Sequence, residues 1–394
     1  MFLAMRQMKT LPLKEISGIL AVFLCTIPTQ VNGQECEFRG EASTLLGIND
    51  SPEVTFRSTL RYIPSLLLNV PLGGEQSLDG ELAVNLLLSG NVERNQRPST
   101  ESTAELYRGW ARYASAQFEF RAGLQKISFG SATFFRPLMW FDAIDPRDPL
   151  QVTTGVYGLL ARYYFQSNAN IWLWGLYGRN EIKGWEILPT KEGSAEFGGR
   201  VQIPLLSGET ALTYNHRTAE LRYDLPAQAG SSQQMLTFPE DRIGFDGKWD
   251  VGPGIWIEGT VTRQSTGALP YPWQQALTLG SDYTISTGRG LTVMGEHFLQ
   301  TYAETAFGPG ETVQITGASL TYPVGLLDEA LAIFYYDWRN SDAYAFLSWR
   351  RTYDSWMFSL MLFANPERPG LVVASQQSLP LLGRGFLLMA VFNH

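Results

Sequence analysis

Arg121-Ala-Gly-Leu-Gln-Lys-Ile127, then Phe129-Gly-Ser-Ala-Thr-Phe-Phe-Arg-Pro-Leu-Met-Trp-Phe-Asp-Ala-Ile-Asp-Pro-Arg-Asp-Pro-Leu150, then Val156-Tyr-Gly-Leu-Leu-Ala-Arg-Tyr-Tyr-Phe165: the reading of this stretch decides the fold. Its first and last pieces alternate with a period of two, the mark of strands that present one face to an apolar surface. The middle piece holds too much Pro for a strand and too many apolar residues to wave in water, so it must pack on something. Loops of this length inside a compact fold are uncommon and tend to carry function. The stretch therefore reads as a strand, a loop folded into a barrel mouth, and the returning strand.

Outward from that hairpin the same alternation recurs along the chain. The segments are Phe38–Ile48, Val54–Asn69, Leu78–Ser89, Thr103–Ala114, Phe118–Ile127, Val156–Phe165, Asn170–Arg179, Ala195–Pro204, Thr210–Thr218, Arg242–Asp250, Gly254–Gln264, Ala276–Ser286, Gly290–Gln300, Glu311–Tyr322, Glu329–Trp338, Ala343–Arg350, Ser355–Ala364 and Gly385–Asn393. In the second of them Val54, Phe56, Leu60 and Tyr62 share one face, while Thr55, Arg57, Thr59 and Arg61 share the other. Connections alternate between short ones (Pro204–Glu209, Asp250–Gly254, Ser286–Gly290) and long ones (Ala219–Asp241, Ser265–Gln275, Thr301–Gly310). A soluble multi-domain β protein has no reason to keep that rhythm, whereas a membrane barrel has short turns at one end and long loops at the other. The expected fold is all-β, a transmembrane antiparallel β-barrel of about 18 strands (16–18), with an inward-folded loop after the fifth. Leu371–Gln377 is either a further strand or part of the last loop. The 38 glycines and 13% aromatic residues suit strands that bend and ends that carry aromatic girdles.

The N-terminus carries Arg6, Lys9 and Lys14, an apolar run from Ile16 to Ile27, and a small-residue ending at Gly33. That is the layout of a secretory signal peptide over residues 1–33, leaving 34–394 as the barrel. The apolar run falls short of the roughly 20 residues a spanning helix needs. Losing Arg6, Lys9, Lys14 and Glu15 with the signal moves the formal charge from −8 to −10, which excludes a nucleic-acid partner. Of the 2 cysteines only Cys36 lies beyond the signal, so no disulfide staples the mature chain.

The order of signal segment, alternating strands, short and long connections and terminal aromatic strand resembles the Gram-negative outer-membrane porins and porin-like proteins over the whole mature length. The run Arg121-Ala-Gly-Leu-Gln-Lys-Ile-Ser-Phe-Gly130 followed by Asp145-Pro-Arg-Asp-Pro149 resembles the strand-then-loop segment of alginate-export-like barrels. The terminal strand, with Phe386, Leu388, Ala390 and Phe392 in one row, is similar to the ending that barrel assembly machinery reads, except that Asn393 and His394 follow the aromatic. The resemblance implies a cell outer-membrane location, lipid around the barrel and passage of small polar solutes, with no cofactor, metal or catalytic motif.

The residues themselves bear on that expectation. Arg57, Arg61, Arg108, Arg112, Arg121 and Arg162 lie opposite most of the lipid-type side chains. An arginine facing lipid at mid-bilayer costs about 2–4 kcal/mol, so these should point inward. The plain expectation is that Glu119 and other wall acids pair with them. The sharper one is a basic wall facing Asp142, Asp145 and Asp148 of the loop, a transverse field across a pore constriction. Phe134, Phe135, Trp140 and Phe141 are either loop anchors or faces on which sugar rings could stack. His216, His297 and His394 sit on separate segments, and Glu296 and His297 as strand neighbours point to opposite faces, so no catalytic or zinc constellation forms and an enzyme is not expected. The function read from the sequence is passive diffusion of small polar or charged solutes through a loop-constricted channel. The alternatives are a non-transporting surface or adhesion barrel and, third, an outer-membrane enzyme.

Overall fold

The structure, a computed structural model, describes residues 35–50, 55–93, 97–178, 181–224, 233–367 and 381–394. The signal segment 1–33 and Leu371–Gln377 lie outside the described residues. The strands are β1 (Glu35–Asn49), β2 (Thr55–Gly73), β3 (Gln76–Glu93), β4 (Ser99–Ala114), β5 (Phe118–Gln125), β6 (Val156–Tyr164), β7 (Asn170–Tyr177), β8 (Ala195–Leu205), β9 (Gly208–Asp224), β10 (Gln233–Asp250), β11 (Gly254–Gln264), β12 (Trp273–Ile285), β13 (Leu291–Ala303), β14 (Gly310–Pro323), β15 (Asp328–Asp337), β16 (Asp342–Thr352), β17 (Trp356–Ala364) and β18 (Arg384–Asn393). Each pairs antiparallel with its neighbours in sequence, and β1 pairs with β18 from Glu41 opposite Asn393 to Asn49 opposite Gly385. The sheet of 18 strands is thereby closed and has no edge left to aggregate.

The span read as a long loop from Ala219 to Asp241 is mostly strand. Alternation continues past Thr218 through Ala-Glu-Leu-Arg-Tyr-Asp224 and resumes at Gln233. The arm of β9 pairs with β10, and Thr190, from the β7–β8 connection, bridges Ala219 on its other edge.

On every strand but β13 at least one large apolar side chain faces outward and is exposed, among them Leu46, Leu60, Phe120, Leu173, Leu212, Phe334 and Leu388. An apolar surface running round a whole barrel is far larger than a soluble protein leaves bare. The interior has two sectors. From β2 to β11 the inward positions carry charged and polar residues, including Arg61, Arg112, Glu119, Arg200, Arg217, Glu240 and Glu258. From β13 round to β1 they carry Phe298, Ile315, Tyr335, Phe346, Met361, Met389 and Leu45, all buried in one cluster. Strands β15–β18 are thus apolar on both faces, as in Trp356-Met-Phe-Ser-Leu-Met-Leu-Phe-Ala364, and something dry must cover them from inside.

Candidate functional site: a clamped loop in the barrel interior

What covers them is the chain between β5 and β6. It forms no regular structure, so its main-chain N–H groups have no ladder partners and must find acceptors wherever it enters a dry space. Two inward carboxylates supply them. Glu258 on β11 accepts from the N–H groups of Ser131 (2.8 Å), Ala132 (2.9 Å) and Leu138 (2.6 Å). Glu296 on β13 accepts from Thr133 (2.6 Å), Phe134 (2.8 Å) and Phe135 (2.9 Å), and from the Trp256 indole (2.9 Å). Runs of successive N–H groups aimed at one carboxylate make a small anion nest, here filled by the protein's own wall. Gly130 makes the close approach possible: its φ is +104°, and a Cβ there would lie 2.5 Å from the Glu258 carboxylate.

The loop aromatics act as anchors on two sides. Phe134 and Phe135 pack on Tyr335 with ring centroids 5.4 Å away in each case, and Phe135 stacks on Phe298 at 5.6 Å. At the other end Phe129 packs on Trp174 at 5.6 Å, with Trp140 and Phe141 beside it. The loop therefore runs from the β5–β7 wall to the β13–β15 wall.

A second connection, between β7 and β8, folds in over the first through its described residues 181–194. The Trp185 indole N–H donates to the Arg136 carbonyl (2.8 Å), and its ring stacks on Phe298 at 5.5 Å. Glu186 lies between Arg217 (3.1 Å) and Arg242 (3.0 Å), both of which also bind Glu240 at 2.6 Å. These four charges are nearly or fully buried and neutralise one another, the condition under which buried ions are tolerated.

The six wall arginines take inward positions, and the plain expectation describes most of their pairing. Glu119 is shared by Arg121 (3.2 Å), Arg162 (3.5 Å) and Arg112 (3.6 Å), and Arg112 also binds Asp79 (2.9 Å). Arg57 donates to Asn91 (2.8 Å), and Arg108 donates to the Thr153 carbonyl (3.0 Å) and lies over the Tyr107 ring. The acids do not form the expected row against this wall. Asp142 pairs with Arg136 (3.4 Å) and Asp145 with Arg147 (2.8 Å), both arginines belonging to the loop itself. The reason is local: a carboxylate carried into a dry space is satisfied most cheaply by a cation carried with it. Only Asp148 looks towards the wall. Burial pushes its carboxyl above the ordinary range, an effect partly offset by the Leu150 N–H and by the attraction of Arg61. Beside it a cavity of about 270 Å³ opens between the wall and the returning limb of the loop, lined by Glu41, Ile63, Ser65, Tyr107, Leu150 and Val152.

Sequence reasoning missed Glu258, Glu296, Trp185 and the Arg217–Glu186–Arg242–Glu240 network. Glu296 and its neighbour His297 point apart as their strand positions require, and outward-facing His297 bonds Thr316 at 2.9 Å. His216 meets Asp241 at 2.8 Å, also on the outer face.

No family model matches the sequence, and no curated protein matches it. Among solved structures the chain is similar to OmpT, an outer-membrane protein of Vibrio cholerae. The in-vitro folded trimer form aligns with a TM-score of 0.52 at 11% identity, over 92% of this chain and 100% of that one. The loop L8 deletion mutant gives 0.51 at 11% identity over 92% and 100%. The protein expressed in the outer membrane gives 0.51 at 10% over 93% and 99%. At such identities the likeness is one of fold: the chain has the architecture of outer-membrane β-barrels, and its resemblance to porin-like barrels holds at that level.

Proposed function

We propose that the protein is an outer-membrane channel, and not an enzyme, through which small polar or charged solutes diffuse passively past the clamped loop. In this reading residues 1–33 direct export, the barrel assembly machinery inserts the chain through β18, and lipid surrounds the apolar exterior. The observation that carries it is the pairing of an apolar outside with inward arginines on β2–β6, Arg57, Arg61, Arg112, Arg121 and Arg162, that are only half-buried and so call for water beside them within the barrel. The cavity lined by Glu41, Ser65, Tyr107 and Leu150 supports a path along the β1–β4 side, since the loop fills the side facing β13–β15. Water there is confined between low-dielectric walls, so charge at that point governs which ions pass. Planar-bilayer recording of the purified protein in a salt gradient tests this. Steps of conductance whose reversal potential moves on Arg61→Gln support the channel.

The density of aromatic contacts on both ends of the loop favours a second reading, a surface barrel that transports nothing. Under that reading the purified protein gives no conductance at all.

A further inference from the structure

The two inward connections are held by different means. Between β5 and β6 the anchors are apolar, with Phe134, Phe135, Leu138, Trp140 and Phe141 each 5% exposed or less. The connection between β7 and β8 has no such anchor among its described residues: Ile182 and Ile187 are exposed, and Trp185 is only partly buried. What holds its tip is charge. Glu186 meets Arg217 and Arg242, and Lys183 donates to Glu196 at 2.6 Å and to Thr190 at 3.2 Å. Buried ion pairs return little beyond the cost of taking the ions out of water, whereas apolar burial is a net gain, so the tip is the weaker of the two attachments. A void of about 40 Å³ between Trp185, Pro137, Phe298 and the wall, room for one water, leaves the tip imperfectly packed on what it covers.

Position sets the order of release. The Trp185 indole bonds the Arg136 carbonyl, and the Trp185 main-chain N–H points at the Met139 carbonyl 3.4 Å away, so loop residues 136–139 lie beneath the tip. Gly184 allows that contact: its φ is +46°, and a Cβ there would overlap the Met139 carbonyl oxygen. The clamped loop cannot lift away from Glu258 and Glu296 while the tip is down. Tip and wall are each electrically balanced, Lys183 against Glu186 on the tip, and Arg217 and Arg242 against Glu196 and Glu240 on the wall. Separating them strands no net charge on either side, and water solvates the groups that part. We infer that residues 183–187 are a latch over the constricting loop, a tip that lifts as a unit and sets how often the loop opens the pore. The inference rests on the channel reading for its role. A tip without net charge carries no gating charge, so membrane voltage does not bias it.

Hydrogen exchange of the full-length barrel and single-channel recording in planar bilayers test the latch together. Gly184→Ala blocks closure without altering charge, and should speed exchange of peptides spanning Ser131–Leu138 about tenfold. Glu186→Gln keeps the size but gives up the charge pairing, and should speed it severalfold. Ile187→Ser, at an exposed side chain of the same connection, should change neither measurement. Heat-modifiable migration identifies the folded fraction on which each variant is measured. In recordings the native channel should step between two conductance levels, Gly184→Ala should spend most of its time in the larger, and dwell times should be the same at both voltage polarities. Unchanged exchange in both Gly184→Ala and Glu186→Gln overturns the latch. So does a single conductance level shared by the native protein and Gly184→Ala, or a dwell time that follows polarity. Failure of the channel reading looks different: faster exchange in both variants with no conductance in any preparation keeps the latch and removes the pore.

Discussion

Replacing Glu296 with Ala removes the acceptor of four donors at once: the N–H groups of Thr133, Phe134 and Phe135 and the Trp256 indole, at 2.6–2.9 Å. A buried donor left without a partner costs about 1–3 kcal/mol. The full sum is not reached, because the loop can lift its N–H groups to water and because burying the carboxylate itself was costly. A net loss of about 3 kcal/mol from the docked loop is reasonable, and at about 1.4 kcal/mol per decade that is roughly a hundredfold rise in the lifted population. Hydrogen exchange followed by mass spectrometry on peptides spanning Ser131–Leu138 reads this directly, since exchange there tracks local opening. Glu296→Gln keeps the volume but turns one acceptor into a donor, so its acceleration should fall between native and Glu296→Ala. His297→Ala, on the neighbouring position but the outer face, should change nothing in those peptides. Strand peptides should stay protected in all three. If Ser131–Leu138 exchange as slowly in Glu296→Ala as in the native protein, the carboxylate is not what holds the loop.

Four further outcomes follow from the same contacts. Gly130→Ala puts a Cβ 2.5 Å from the Glu258 carboxylate on backbone with φ +104°, and should speed exchange of the same peptides and lower the temperature at which the barrel loses its heat-modifiable migration. As pH falls, the raised Asp148 carboxyl becomes neutral before ordinary carboxylates do, so reversal potentials should move towards anion selectivity at mildly acidic pH, and Asp148→Asn should show the acidic value throughout. The same sign applies to stability: a carboxyl raised on folding destabilises when ionised, so Asp148→Asn should be neutral or slightly stabilising near pH 7. Phe392→Asp places a charge on the outward row against Trp356, 4.8 Å away between ring centroids, and should reduce the folded fraction in outer-membrane preparations.

The barrel was legible because every strand answers the same local question, which face meets lipid, and a period of two answers it without knowledge of any partner. Phe56, Leu60 and Tyr62 against Arg57 and Arg61 need only each other to be read. The site was less legible because its bonds join residues far apart: Thr133 and Glu296 are separated by 163 positions, Ala132 and Glu258 by 126. A single carboxylate in Ile255-Trp-Ile-Glu258 looks like any lumen-facing acid until the loop's unpartnered N–H groups are counted against it. The acids of the loop misled for the converse reason. Asp142 and Asp145 were matched with wall arginines, although Arg136 and Arg147 lie within six residues and two residues of them. One signal was present and unused. In Trp356–Ala364 and Gly385–Asn393 the residues between the outward ones are, apart from Ser359, Met357, Met361, Phe363, Leu387, Met389 and Val391, so both faces are largely apolar. Lipid explains one face only. The other requires a dry cover inside the barrel, and the loop rich in Phe and Trp after the fifth strand is the segment built to provide it. Reading both faces together assigns the loop to that wall.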